Sequence, residues 1–493
     1  MRNAVQLVTY VDRLAGDLSG VAALLNNEFA GLFGGVHLLP YFTPFDGADA
    51  GFDPADHLEV DSRLGDWAAL EQLSKQIYVM SDVIVNHVSH QSRQFQDVMR
   101  NGDKSQYWDM FLKRSDVFGD VAVDTEVKKV YRPRPGSPFT NITLDDGTSH
   151  DFWTTFSPQQ LDINVESPAG RSYLESILAK FEQAGVRGVR LDAAGYAIKR
   201  YGTSCFMLPE TFEFLGELQG SASQRHMDVL VEIHAYYQTQ VAIAERVSMV
   251  YDFALPPLVL HTLYSASAAA LKSWLSVSPR NCVNVLDTHD GIGIVDVARS
   301  GKLPGLLSDE ETDVLVTEIH HRTNGESQLA SGQAASNLDI YQINTTFYDA
   351  LGRSDNLYLL ARAIQFFAPG VPQVYYVGLL AQENDTDLLA KSGVGRDINR
   401  HYFTPEEIQA AVVKPVVASL FKLIRLRNSA SAFAGELEIL ESADNCLELG
   451  WSHEGNTAQL SIDLQKSVAD ITIIENGEIA RYHIADTLRA VTQ

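Results

Sequence analysis

The chain reads as an α/β protein built on a parallel (β/α)8 TIM barrel, with two inserted subdomains and a C-terminal antiparallel β domain. Three observations predict this. Eight short apolar, partly β-branched runs alternate with amphipathic helical patterns. Two of the gaps between them are too long and too polar for simple βα loops. After about residue 433 the helical spacing gives way to alternating, turn-rich text. At 493 residues the chain is also too long for a single hydrophobic core and should divide into two to four domains.

The candidate strands, in order, are VQLVTY (5–10), GVHLLP (35–40), IYVMSDVIV (77–85), VRGVRLD (186–192), VLVEIH (229–234), MVYDFAL (249–255), NCVNVLD (281–287) and VPQVYYV (371–377). Stretches such as RSYLESILAKFEQA (171–184) and NLYLLARAIQFF (356–367) carry apolar residues at helical spacing. A doubly wound open sheet is the competing arrangement, but no glycine-rich phosphate fingerprint follows the first strand. The barrel is therefore expected to comprise residues 1–85, 166–290 and 353–432. The first insert, 86–165, follows strand three and is turn-rich. The second, 291–352, follows strand seven and holds SDEETDVLVTEIHHR, a helix with an acidic first turn, and then a Gly/Ser/Asn-rich loop. Residues 433–493 form the β domain.

Composition narrows the function. Asp and Glu outnumber Lys and Arg by 63 to 38, a formal net charge of −25. Such a field disfavours nucleic acid and anionic membranes as partners, and an anionic substrate has to be received by locally placed cations. No run approaches the length of a membrane span. The N-terminal text lacks a secretory pattern, and the three cysteines, Cys205, Cys282 and Cys446, lie far apart without metal-like spacing. A cytoplasmic protein is the expectation. No metal-binding loop is evident and no nucleotide cofactor is indicated.

The strongest functional signal is the way several apolar strands end. GVRLDA places Arg190 and Asp192 two residues apart, on one face of a strand. VLVEIH ends in Glu232 and His234, VNVLDTHD in Asp287, His289 and Asp290, and VIVNH in Asn86 and His87. In a (β/α)8 barrel the C-terminal strand ends face the active site. One such acid is as readily a cap or a structural ion pair; three, each joined by a histidine or arginine, point to a shared pocket. Convergent carboxylates without a cysteine or a histidine cluster suit glycosidic-bond chemistry, in which one acid attacks the anomeric carbon and another donates a proton. Arg190 is expected to hold Asp192 ionised.

VIVNH, GVRLDA, VEIH and LDTHD resemble the four signature regions of the α-amylase clan, glycoside hydrolase family 13. LPYFTPFDGADAGFDP (39–54), YRPRPG (131–136), YGTSCFMLP (201–209), YDFALPPLVLH (251–261), DTHDGIGIVD (287–296), AASNLDIYQIN (334–344) and GRDINRH (395–401) are similar to the sucrose phosphorylases of that family. The resemblance implies Asp192 as nucleophile, Glu232 as general acid/base and Asp290 as the carboxylate that binds ring hydroxyls. It further implies a glucose subsite of Asp49, Phe52, His87, Phe156, Gln160, Arg190, Tyr196, His289 and Arg396. Sucrose, phosphate, glucose 1-phosphate and fructose are the implied small-molecule partners, with no cofactor and a monomer or homodimer as the assembly. Arg134, in a proline-stiffened segment, is the expected phosphate receiver, since a guanidinium matches phosphate oxygens in a planar fork. His234 and Tyr341 could add donors, and Asp339, Tyr341 and Gln342 are expected near fructose. Sister phosphorylases acting on sucrose 6′-phosphate, glucosylglycerol or glucosylglycerate, a hydrolase or transglucosidase of the same clan, and a catalytically silent sugar-binding barrel are the alternatives.

Overall fold

The computed structural model describes residues 1–45, 50–119, 124–132, 136–331 and 342–491. Eight parallel strands close into a barrel: β1 (Gln6–Thr9), β2 (Gly35–Leu38), β3 (Tyr78–Ile84), β4 (Gly188–Asp192), β5 (Asp228–Val231), β6 (Met249–Asp252), β7 (Cys282–Asn284) and β8 (Val371–Tyr375). They follow one another around the ring in chain order, and β1 pairs with β8 to close it. All eight expected strands are present, several of them shorter than the apolar runs that announced them.

Two of the shortenings have clear causes. The run at 249–255 stops at Asp252 because Leu255–Ser265 is a helix with prolines in its first turn, where no backbone N–H has to be donated. The run at 281–287 leaves the ladder after Asn284, whose side chain donates to the Pro369 carbonyl at 2.8 Å. Three residues on, Asp287 pairs with the buried guanidinium of Arg362 at 2.8 Å. His289 and Asp290 consequently sit in the loop beyond β7 and not at the strand end itself.

Alternation within the strands decides what faces the lumen. Met80, Leu230, Tyr251, Phe253, Val283 and Val285 pack together as one apolar cluster, whereas Val79, Val83, Val189, Leu191, Val229 and Val231 join the larger core beneath the surrounding helices. With Val189 and Leu191 facing outward, Arg190 and Asp192 face inward. Register places Arg190 of β4 beside Asp82 of β3. The helix Pro168–Gln183, capped by Ser167, buries Tyr173, Leu174, Ile177, Leu178 and Phe181 on one stripe ahead of β4.

Between β3 and β4, a short strand His87–Ser89 pairs antiparallel with Gln160–Asp162, and a hairpin joins Phe139–Thr143 to Ser149–Trp153. After β7, Ile292–Gly293 pairs with Gln342–Ile343, and the helix Asp309–Arg322 begins with a capping box at Ser308 and Glu311. Glu326–Ser331 is helical although its Gly- and Ser-rich context reads as loop. The hydroxyl of Thr323 meets that of Ser327 at 2.7 Å, and the Ser327 hydroxyl meets His320 at 2.6 Å, which nucleates a turn the composition hides. A six-stranded antiparallel sheet, Glu436–Ala490, ends the described chain. Among the described residues no helix is long and apolar enough to cross a membrane.

Candidate active site

At the C-terminal end of the barrel a single buried guanidinium organises the acids. Arg190 Nη1 donates to Asp82 at 2.5 Å and to Asp192 at 2.7 Å, and its Nη2 lies 3.9 Å from Glu232. Asp82 is held on its other oxygen by His37 at 3.0 Å. The rings of Phe52 and Tyr251 flank the guanidinium at 5.6 and 5.9 Å. Immediately after Asp192 the chain turns sharply through Ala193, which takes the left-handed conformation at φ 54°. A side chain pays about 1 kcal/mol for that conformation; here it aims the Ala193 N–H at Glu232 Oε2, 3.2 Å away. Asp192 and Glu232 are thus tied to each other through one arginine and one amide.

The electrostatic outcome differs from the sequence expectation. Burial raises the Asp192 carboxyl to about 8; Arg190 opposes this, and the neighbouring carboxylates of Glu232 and Asp82 add to it. The ion pair that was expected to keep Asp192 ionised is present, but desolvation and two like charges outweigh it. Burial and the arginine thus act on Asp192 in opposite senses, and burial prevails.

Asp290 is the opposite case. Burial alone would raise its carboxyl, but Arg396 first, with Arg400 and His234, holds it well below the usual carboxylate range. Arg396 Nη1 lies 2.9 Å away and Arg400 Nη2 4.0 Å away. His289 stacks on Phe52 with centroids 4.7 Å apart, and burial lowers its imidazole to about 3, so it stays neutral.

The remaining expected residues gather around these acids. His87 Nε2 donates to the Phe52 carbonyl at 3.1 Å and Gln160 Nε2 does so at 3.3 Å, so both anchor the loop after β2. His87 packs on Phe156 at a tilt of 52° and Phe156 on Tyr196 edge to face, with centroids about 5 Å apart in each pair. His234 stacks on Phe253 at 3.8 Å, and Gln342 reaches its Nε2 at 3.2 Å. Asp49, Arg134, Asp339 and Tyr341 lie outside the described residues.

Several participants escaped the sequence reading. Asp82 and His37 support Arg190 from β3 and β2; the charge inside VMSDVIV was the available sign. Lys199 is buried against Asp162 at 2.8 Å and Asn86 at 3.0 Å and donates to the Tyr196 carbonyl, joining the first insert to the loops after β3 and β4. Asp296 accepts from His234 Nδ1 at 3.0 Å.

Comparison with known proteins identifies the family. The alpha-amylase catalytic-domain family model matches residues 8–297. The chain is 53% identical to a sucrose phosphorylase of Agrobacterium vitis, over 96% of this chain and 97% of that one. It is 46% identical to a sucrose phosphorylase of Bifidobacterium adolescentis, over 99% of both. Its fold is similar to the crystal structure of a sucrose 6F-phosphate phosphorylase from Thermoanaerobacter thermosaccharolyticum, with a TM-score of 0.92, 38% identity and 98% of each chain covered. The chain belongs to the alpha-amylase family and, within it, to the branch of glycosyl-transferring phosphorylases.

Proposed function

We propose that the reaction is the phosphorolysis of sucrose to α-D-glucose 1-phosphate and fructose, with slower transfer to water and to other hydroxyl acceptors. The observation that carries this reading is the placement of two acids, Asp192 and Glu232, around Arg190 at 2.7 and 3.9 Å, with the Ala193 N–H donating to Glu232 at 3.2 Å. In the first half-reaction an oxygen of Asp192 attacks the anomeric carbon. The bond to the fructosyl oxygen breaks, and Glu232, acting as the general acid, delivers its proton to that oxygen. Arg190, 2.7 Å from Asp192, stabilises the carboxylate form needed for attack once the proton rests on Glu232. In the second half-reaction a phosphate oxygen attacks the same carbon, the ester to Asp192 breaks, and Glu232 takes the phosphate proton. Two inversions give net retention.

Asp290 is assigned to the ring hydroxyls and to the positive charge that develops on the sugar. Its strongly acidic carboxyl, set among Arg396, Arg400 and His289, suits a group that stays ionised throughout. Phe52 and Tyr196 supply aromatic walls, and His87, Gln160 and His289 polar edges. Arg134 is assigned to phosphate, with His234 as a further donor; Asp339, Tyr341 and Gln342 are assigned to the acceptor side. The domain division at 85/86, 165/166, 290/291, 352/353 and 432/433 is proposed on the same footing, and the cytosol, which holds phosphate and retains a phosphorylated sugar, is the proposed location.

Sucrose is preferred over the substrates of sister phosphorylases because the two curated relatives named above, at 53% and 46% identity, carry that substrate in their names. The test is direct. Purified protein is incubated with sucrose, sucrose 6′-phosphate or glucosylglycerol, with and without phosphate, and the product anomer is read by NMR. Phosphate-dependent α-glucose 1-phosphate from sucrose in preference to the other donors is expected. Preference for another donor moves the chain to a sister activity, and phosphate-independent release of glucose makes it a hydrolase.

A further inference from the structure

Asp296 is fully buried, and its contacts join the loop after β7 to the loop and helix after β5. It accepts from His234 Nδ1 at 3.0 Å and from the Ala235 N–H at 3.3 Å, both beyond β5. Gln240, in the helix Tyr237–Ala244, donates to it at 2.5 Å. A Cβ at Gly293 would lie only 2.0 Å from Asp296 Oδ2, so the carboxylate is seated against bare backbone. Asp82 has Arg190, Asp287 has Arg362 and Asp290 has Arg396 at this end of the barrel, whereas the buried Asp252, at the end of β6, accepts from Trp274 Nε1–H and the Leu255 N–H, both at 3.0 Å. Among the described residues Asp296 has no lysine or arginine within ion-pair distance; its one ionisable partner is His234.

A buried anion with no fixed cation favours the charged form of the one group that can supply a charge. The surroundings of His234 act in the same sense. Glu232 Oε1 lies 3.8 Å from its Nε2, Asp290 contributes a third negative charge, and the Phe253 ring covers its face. Burial opposes protonation, yet the three carboxylates prevail and the imidazole is raised above its ordinary value. Gln342 accommodates either state, since its amide can present N–H to a neutral ring or its oxygen to an imidazolium.

We propose that Asp296 is a positioning residue for the second half-reaction: it fixes the His234 ring through Nδ1 and keeps it cationic, so that Nε2–H is presented to an anionic acceptor. This deepens the proposed phosphorolysis and rests on it. In an acidic chain the device supplies positive charge near Glu232 without a further arginine that would hold Glu232 permanently ionised.

The test compares the wild-type enzyme with Asp296→Asn, using sucrose as donor and inorganic phosphate, water or a neutral alcohol as acceptor. Asp296→Asn should lower kcat/KM for phosphate by about 10–100-fold, the usual range for a charge-assisted contact, while hydrolysis and transfer to the alcohol fall much less. The NMR titration midpoint of His234 should lie above the ordinary histidine range in the wild type and drop in the variant. In a His234→Gln background, adding Asp296→Asn should cost little more. Equal losses with all three acceptors, or a wild-type His234 that titrates at or below the ordinary value, overturn the inference; the second measurement needs no variant to fold. If the wild type forms no glucose 1-phosphate from sucrose, the functional reading fails first, and the His234 titration still reports on the Asp296 pair.

Discussion

Asp192→Asn should make the protein more stable at pH 8 while abolishing its chemistry. The Asp192 carboxyl rises from 3.8 to about 8 on folding, chiefly through burial. A group whose folded pKa is raised binds more protons in the native state than in the unfolded state throughout that interval. Its contribution to stability is therefore full below about pH 4 and is lost as the pH climbs through 8. A shift of about four pH units corresponds to an upper bound of roughly 5–6 kcal/mol. The side chain retains 13% exposure and lies 2.7 Å from Arg190, so about 2–3 kcal/mol is the expected share. An amide of the same shape carries no charge and avoids that loss. Scanning calorimetry from pH 4.5 to 8.5 should show the variant melting a few degrees above the wild type at pH 8, with the gap narrowing towards pH 4.5. A variant that melts lower at pH 8, or a gap that does not change with pH, would refute the assignment of a buried, proton-retaining carboxyl.

Other outcomes follow from the same charges. The kcat/KM profile for sucrose should be bell-shaped with a basic limb near pH 8, where the pair loses the proton that the leaving fructose needs; Glu232→Gln should remove that limb from whatever activity remains. Arg134→Ala should depress phosphorolysis more than hydrolysis or transfer to neutral acceptors, and equal losses in the three assays would remove its phosphate role. Lys199→Met strands the buried Asp162 carboxylate without its ammonium partner, so thermal unfolding should register a loss of about 3–5 kcal/mol. Because Lys199 also holds Asn86 and the Tyr196 carbonyl, KM for sucrose should rise in whatever folded fraction is assayed.

The barrel was legible because its eight strands are short apolar runs separated by helical spacing, a pattern that survives without partners. The lumen-facing charges were legible for the same reason: a period of two puts Arg190 and Asp192 on one side, and a charged pair ending such a run has few structural uses. Groups whose meaning depends on a distant partner were not. Asp296 and His234 are 62 positions apart, Arg362 and Asp287 are 75, and Lys199 and Asn86 are 113. Arg362 sits in the apolar text LLARAIQFF, and its charge was passed over as a helix residue among others. Strand ends were overcalled where prolines or a side-chain contact broke the ladder, as at Asp252 and Asn284. The proton balance at Asp192 was misjudged because one attractive neighbour was counted, while burial and two further carboxylates were not visible.

Arginine is distributed among the acids according to what the proposed reaction asks of each. Asp82 and Asp192 share Arg190, Asp287 has Arg362, and Asp290 has Arg396 at 2.9 Å with Arg400 behind it. Among the described residues Glu232 has no such contact: the guanidinium nitrogen nearest to it stands 3.9 Å away and belongs to an arginine already engaged with two other carboxylates. A short arginine contact lowers a carboxyl pKa by 1–3 units: at Asp290 it prevails, at Asp192 it limits the rise that burial causes, and at a group that must be protonated in one half-reaction and ionised in the next it would be a handicap. Moving a cation closer to Glu232 should then slow fructose departure while leaving sugar binding intact. On the proposed reaction this spacing keeps the proton mobile within a ring of fixed charges, which would let a chain with a net charge of −25 receive an anion after a neutral sugar.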